Sequence, residues 1–287
     1  ELEKADPRID IYEKYGAVMK KILNGYRDGT MHNIKMNDYA LVYGGDDDIP
    51  LTWMDAKVKE KPVTPRKGMP VEVQALWFNA LQYTYNKAKE KKDTKFTEDW
   101  FYYLDVVKSS FLSRFWDDEK GYLADYASTK EVYWNVTPNQ IIAAALPFSM
   151  LSDEQSEQVI KTVKQQLLTP RGLRTLSPAN PEYQPQYEGN QYERDRAFHK
   201  GTAWPWLLEY FVKANYKLYG VKALDEIMEI YHAFEEDMND YGIGTIGEIY
   251  DGDPPHYPRG AISQATSVAA LLQIRMMIQE LLVLKQN

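Results

Sequence analysis

Apolar residues recur at helical spacing along most of this chain, and three long polar stretches interrupt them. Ile9, Tyr12, Val18, Ile22 and Leu23 predict a helix over residues 7–26. Pro70 opens a second, to about residue 92, with Val71, Val73, Leu76, Trp77, Leu81 and Tyr85 spread over most of its faces. A helix that is apolar all round is a buried one. The same spacing predicts helices over 96–116, 138–146, 153–168 behind the N-cap Ser152, 201–219, 221–240 and 262–285. The helix from Val221 carries one stripe of Leu224, Ile227, Met228, Tyr231, Phe234 and Met238, so it buries one side only. No Ser/Gly linker or low-complexity tract divides these eight helices, and residues 1–287 read as one all-α domain.

Loops longer than ~15 residues without structure of their own are uncommon and often functional. Three stand here, at 30–69, 169–200 and 241–261, and the stretch 171–200 is too polar and Pro-rich for helix. They alternate with short connections such as Tyr219-Gly220-Val221, so the long loops are expected to open on one end of a helical toroid. Only short strands are expected within loops, as at Gly121-Tyr122-Leu123 and Tyr133-Trp134-Asn135.

The loops hold the chemistry-bearing residues. In the first, Leu51-Thr52-Trp53-Met54-Asp55-Ala56-Lys57, an Asp between Trp53 and Met54 is expected to lose solvent and stay protonated, as a general acid requires. The bland alternative is a loop cap or a partner for Lys57. The preceding Asp46-Asp47-Asp48 reads as a solvated turn, because it lacks calcium-loop spacing. In the last loop, Gly244 and Gly247 allow a ligand to approach near Glu248. Glu248 is the natural partner for Asp55, and the two are expected to form the acid/base pair of glycoside hydrolysis, one protonating the leaving oxygen and one activating water. Many loops contain Glu and Gly without such a role. The middle loop mixes Glu188, Arg194, Asp195, His199, Trp204 and Trp206, the planar polar groups and aromatic faces that a sugar engages. Core packing explains the two Trp equally well, and a lone His is more often structural. The four His are dispersed without metal-ligand spacing, and no cofactor or metal is expected.

Composition narrows the classes. Twenty-two Tyr and 7 Trp suit both a core and a sugar cleft. The absence of Cys removes disulfide frameworks, thiolate metal sites and Cys nucleophiles. Thirty-four basic against 42 acidic residues gives a net charge of −8, which argues against nucleic acid as a partner. A mean hydropathy of −0.55 and the absence of any long apolar run exclude a membrane span on this reading. The chain starts at Glu1 without an apolar leader, so it is expected to begin inside a longer protein or after a removed tag. The absence of Cys fits the cytoplasm, the expected location.

The segments LTWMDAKV, TPRKGMPVEVQALWFNAL, WNVTPNQIIAAALP, LLTPRGLRTLSPANPEY, YEGNQYERDRAFHKGTAWPWLL and GEIYDGDPPHYPRGAISQATS resemble, in order, the C-terminal amylo-α-1,6-glucosidase domain of glycogen debranching enzymes. The resemblance runs over nearly the whole chain and implies an (α/α)6 toroid similar to glucoamylase. It also implies inverting hydrolysis of the α-1,6-linked glucose at a glycogen branch. In such toroids the acid lies between the fifth and sixth helices and the base between the eleventh and twelfth. Eight helices ending at the twelfth then make Asp55 the acid and Glu248 the base. The resemblance further implies a cleft lined by Trp53, Lys57, Glu72, Trp77, Asn79, Asn135, Gln140, Arg174, Glu188, Arg194, Asp195, His199, Trp204, Trp206 and Asp251. Two departures stand out. Thr266 occupies a position where the family usually shows Trp, and the first four helices, with an Arg-Asp pair for the terminal glucose, are not in the chain. The implied partner is glycogen or another branched α-glucan. An arc without its first four helices could instead bind glucan without hydrolysis, or dimerise through its exposed edge. Another toroid chemistry, such as trehalose hydrolysis, is the third reading.

Overall fold

The computed structural model describes residues 2–46 and 48–286, so Asp47 of the acidic turn lies outside the described residues. Among them ten α-helices form: α1 (Leu2–Ala5), α2 (Ile11–Asp28), α3 (Val71–Glu90), α4 (Thr94–Phe115), α5 (Asn139–Ala145), α6 (Asp153–Gln166), α7 (Gln191–Ala197), α8 (Leu208–Tyr219), α9 (Leu224–Asp240) and α10 (Ala265–Gln286). The eight expected from periodicity are α2–α6 and α8–α10. Caps set their starts. The Asp10 carboxylate accepts the Glu13 N–H at 3.0 Å, which delays α2 to Ile11. Ser152 and Gln155 close a capping box on α6. Asp93 accepts from Phe96 N–H at the head of α4, and also from Tyr12 Oη at 2.8 Å and Lys20 Nζ at 2.7 Å. One carboxylate therefore caps α4 and fastens α2 to the α3–α4 turn.

The helices pack in two rows. In the first, α3 lies on α5, α5 on α8, and α8 on α10. Behind it, α2 and α4 back α3, α6 backs α5 and α8, and α9 backs α10. All seven residues of α5 are buried, as an element covered on every side must be. This alternation is that of the glucoamylase-like (α/α)6 toroid, present here as an arc of four helix pairs. The arc leaves apolar faces at both ends. On α2, Val18 and Ile22 are exposed, and on α10, Leu272, Met276, Leu282, Val283 and Leu284. Contrary to the expectation of no long apolar run, α10 is long and apolar enough to cross a membrane by length and composition. Its other face, with Leu271, Ile274, Ile278 and Leu281, belongs to the core.

The middle loop departs most from expectation. Residues 171–200 contain α7, opened by a capping box between Asn190 and Glu193. Gly201 does not begin a helix, because Ala203–Trp204 is a strand and Pro205–Leu207 a 3-10 turn leading into α8. That strand sits at the centre of a five-stranded antiparallel sheet in the order Leu168–Thr169, Gly172–Arg174, Ala203–Trp204, Ile249–Tyr250, Pro258–Arg259. Gly172 has φ +150°, and a Cβ there would stand 2.5 Å from the Trp204 carbonyl carbon, so only Gly admits this approach. The sheet joins the middle loop to the last loop. A second sheet of Met69–Pro70, Tyr126–Ala127 and Val132–Tyr133 ties the first loop to the α4–α5 connection.

Candidate active site

An aromatic cluster brings the first and middle loops together. The Trp53 ring meets Trp206 edge-on at 5.1 Å between centroids, His199 at 5.3 Å and Trp204 at 5.4 Å. His199 stacks on Trp204 with 20° between planes. Such edge and offset contacts are the favoured geometries of π systems. The last loop joins through the sheet, where Ala203 pairs with Tyr250, two residues beyond Glu248. On the other side α7 packs against the strand Lys57–Val58, two residues beyond Asp55. Tyr187 lies between. Its hydroxyl is pushed above its ordinary pKa by burial first, then by the charge of Asp195, with Arg194 opposing and Glu248 adding. The segments that carry Asp55, Lys57, Arg194, Asp195, Tyr187 and Glu248 are thus linked through contacts of the three loops.

The two carboxyl groups sit in different settings. Asp55 is exposed, and the desolvation expected from its neighbours does not occur. Met54 turns inward and is fully buried, while Trp53 spends its faces on the aromatic cluster. Glu248 is half-buried and held. Its Oε2 accepts the Ala261 N–H at 2.9 Å, and its Oε1 lies 3.5 Å from Gln264 Nε2. Residue 260 is Gly, at φ +68°, and a Cβ there would stand 2.5 Å from Oε2, so Gly260 leaves the carboxylate in this position. A fixed carboxylate near backbone donors can hold a water; an exposed carboxyl can reach a leaving oxygen.

Several residues expected to line the cleft are structural instead. Glu72 is 4% exposed and paired with Arg66. Trp77 donates its Nε1–H to Ala40 O at 3.0 Å and packs on Trp100 within the core. Asn79 clamps Phe148 by both backbone groups, at 2.7 and 2.9 Å. Gln140, 1% exposed, links Leu123 N–H to Thr137 O. Asp251, 3% exposed, accepts Tyr187 N–H and a double contact from Arg259, so it anchors the 187 segment to the last loop. Trp204 is buried, with its Nε1–H on Thr202 Oγ1 at 3.0 Å. Arg174 is turned to Tyr183 Oη and Gly252 O, and Asn135 accepts from Asn180. Arg194 donates to Gly189 O at 2.6 Å, and Asp195 accepts from Gln191 within α7. Lys57 and Glu188 are exposed, and Trp206 is half-buried.

One network carries no signal in the sequence. Arg66 donates from Nη2 to Asp125 Oδ1 at 2.8 Å and to Glu72 Oε2 at 2.7 Å, with a further short contact from Nη1 to Glu72 Oε1. Burial works against the Arg66 charge, but Asp125 and Glu72 more than offset it, and its pKa rises. Thr137 Oγ1 and Asn139 Nδ2 also donate to Asp125 Oδ1, at 2.7 and 2.8 Å. No spacing rule links residues 66, 72, 125 and 139, so only the fold assembles them.

His199 follows the same logic with the opposite outcome. It is 2% exposed, and neither ring nitrogen has a hydrogen-bond partner among the described residues. Burial first, and the Arg66 charge second, lower its pKa from 6.5 to about 3. Above pH 6.5 both folded and unfolded chains carry a neutral ring, and there is no cost. As pH falls toward 3, the unfolded chain binds a proton that the fold refuses, and stability is lost, by about 3 kcal/mol at pH 4. His199→Phe keeps a ring in the stack and removes the titration. Unfolding free energies from urea titrations at pH 7 and pH 4 should therefore differ less in that variant than in the wild type, by about this amount. Equal losses in both would show that His199 does not titrate in this window.

Comparison with known proteins adds to this geometry. A family model described as amylo-alpha-1,6-glucosidase matches residues 3–273. The glycogen debranching enzyme of Saccharomyces cerevisiae is 24% identical over 217 residues, which cover 61% of this chain and 14% of that protein. Among solved structures, neutral trehalase from Saccharomyces cerevisiae superposes with a TM-score of 0.54 and 14% identity over 74% of this chain and 40% of that one. GH63 mannosylglycerate hydrolase from Thermus thermophilus gives 0.51 and 16% over 72% of this chain and 48% of that one. The chain spans less than half the length of each of these relatives.

Proposed function

The chain belongs to the amylo-alpha-1,6-glucosidase family of glycoside hydrolases, and from that premise we propose that it removes α-1,6-linked glucose at branch points of a glycogen-type glucan, with inversion. Asp55 is the general acid, protonating the leaving C6 oxygen, and Glu248 the general base, activating water on the opposite face. The observation that supports this reading is the contact of three loops, Trp53 on Trp204 and Ala203 paired with Tyr250, which links the segments that carry Asp55 and Glu248. The hydrogen-bonded Glu248 suits the base role, and the exposed Asp55 takes the desolvation that an acid needs from the glucan that covers it in this reading. In this reading the substrate is a branched α-glucan in cytoplasmic glycogen breakdown.

The test is glucose release from a glucan that carries single α-1,6-linked glucosyl stubs, or from panose, followed by proton NMR from the first turnover. Inversion makes β-glucose appear before mutarotation. α-Glucose appearing first would refute the inverting assignment, and release from trehalose but not from these α-1,6 substrates would move the reading to trehalase-like chemistry.

A second reading is favoured by the exposed apolar faces of α2 and α10. An open arc binds glucan, or pairs with a second copy through that edge, without completing hydrolysis. Retained glucan affinity with no glucose release from this chain would select it.

A further inference from the structure

We infer that the buried Arg66–Asp125 pair, acting through Asn139, positions Trp53 and with it the segment that carries Asp55. This rests on the reading of Asp55 as the acid, and it gives Arg66, Asp125 and Asn139 a role that the implied cleft list does not include.

Trp53 Nε1–H donates to Asn139 Oδ1 at 2.7 Å, a side-chain bond that ties the first loop to α5 across 86 positions of sequence. Asn139 is fully buried at the head of α5. An amide can present either its oxygen or its NH2 group to a neighbour, and the surroundings decide which. Asp125 decides here. As a carboxylate paired with Arg66 it can only accept, so Asn139 turns Nδ2 toward it at 2.8 Å. Its Oδ1 is then left facing the indole, which can only donate. Thr137 donates to the same Asp125 oxygen and takes a 3.3 Å contact from Asn139 Nδ2, which fixes the amide plane. The same amide stands 3.7 Å from Met54 Sδ, so two consecutive residues before Asp55 rest on one side chain.

The network is anchored on rigid elements. The Asp125 carbonyl accepts the first amide of α3, Val71 N–H, at 3.0 Å and Arg66 Nη2 at 2.9 Å. Arg66 lies near the end of the first loop and Glu72 in the first turn of α3, so both ends of the segment between Trp53 and α3 are tied to the same charge cluster. Asp55 itself is exposed and lies in the stretch between those ties. Its placement therefore depends on them more than on burial of its own. Arg66, Asp125 and Asn139 are positioning residues: none needs to touch the sugar.

The test compares wild type, Asn139→Leu, Trp53→Phe and the double variant by hydrogen exchange, with glucose release alongside. Loss of one charge-oriented hydrogen bond should speed exchange in residues 51–57 by about tenfold while residues 71–90 keep wild-type protection. Trp53→Phe, which keeps an aromatic ring and removes the donor, should give the same local change, and the double variant no more than either single one. kcat should fall on the order of 10- to 100-fold with KM nearly constant, the pattern of a displaced catalytic group. If Asn139→Leu does not fold, Trp53→Phe alone carries the test. Unchanged exchange in 51–57, or fully additive effects, would overturn the inference. Asp55→Asn separates the two layers. If it abolishes release while Trp53→Phe keeps wild-type kcat and exchange, positioning fails and the acid reading stands. If it leaves release intact, the acid reading fails, and exchange alone judges the positioning.

Discussion

Glu248→Gln and Asp55→Asn should each lower the rate of glucose release from the stub-bearing glucan by about 10²- to 10⁴-fold, the usual contribution of a positioned general acid or base. The two variants separate by leaving group. The phenolate of a dinitrophenyl α-glucoside leaves without protonation, so Asp55→Asn should recover much of its rate on such a substrate. Glu248→Gln should not recover, because its defect lies in activating the water. Azide should rescue Glu248→Gln instead, by replacing water with an anion that needs no base. KM should change little in both, since neither group binds the ground state strongly. Near-normal release by either variant removes that residue from the mechanism.

Arg66→Met should destabilise the fold by about 3–5 kcal/mol, because it leaves the Glu72 and Asp125 carboxylates buried without their cation. The physical basis is asymmetric. A buried pair contributes little net stability over an apolar replacement, but breaking one leaves an uncompensated charge out of water. Adding Glu72→Gln and Asp125→Asn to Arg66→Met should therefore restore a large part of the loss. Urea unfolding of the single and triple variants measures both effects. A single-variant loss below about 1 kcal/mol would mean that water reaches these carboxylates once Arg66 is gone.

Legibility follows the range of each interaction. The start of α6 is readable because Ser152 caps it within three residues of itself. Asp10 and Asp93 cap just as locally, yet apolar spacing alone places those starts at 7 and 96 rather than at Ile11 and Thr94. The same signal, Asn190 followed by Glu193, is present for α7 but is outweighed by the polar, Pro-rich composition around it. The strand at Ala203–Trp204 has no local mark, since it exists only because Gly172–Arg174 and Tyr250 flank it from other loops. Within the candidate site, Glu72 and Asp251 show the limit of the resemblance. Both sit in matching motifs, yet burial and Arg partners assign them to holding the loops together.

The family resemblance singled out the two carboxylates proposed to do the work. The sequence by itself determined the helices and the three loops where chemistry gathers. Those features follow from periodicity, turn chemistry and residue type, all of which act over a few positions. The tertiary structure alone decided that Asp55 is exposed, that Glu248 is gripped by Ala261, and that Trp53 is held through Asn139 by Arg66 and Asp125. These depend on burial and on charges far apart in sequence. Desolvation and ion pairing take their strength from three-dimensional surroundings, which no local pattern of residues encodes.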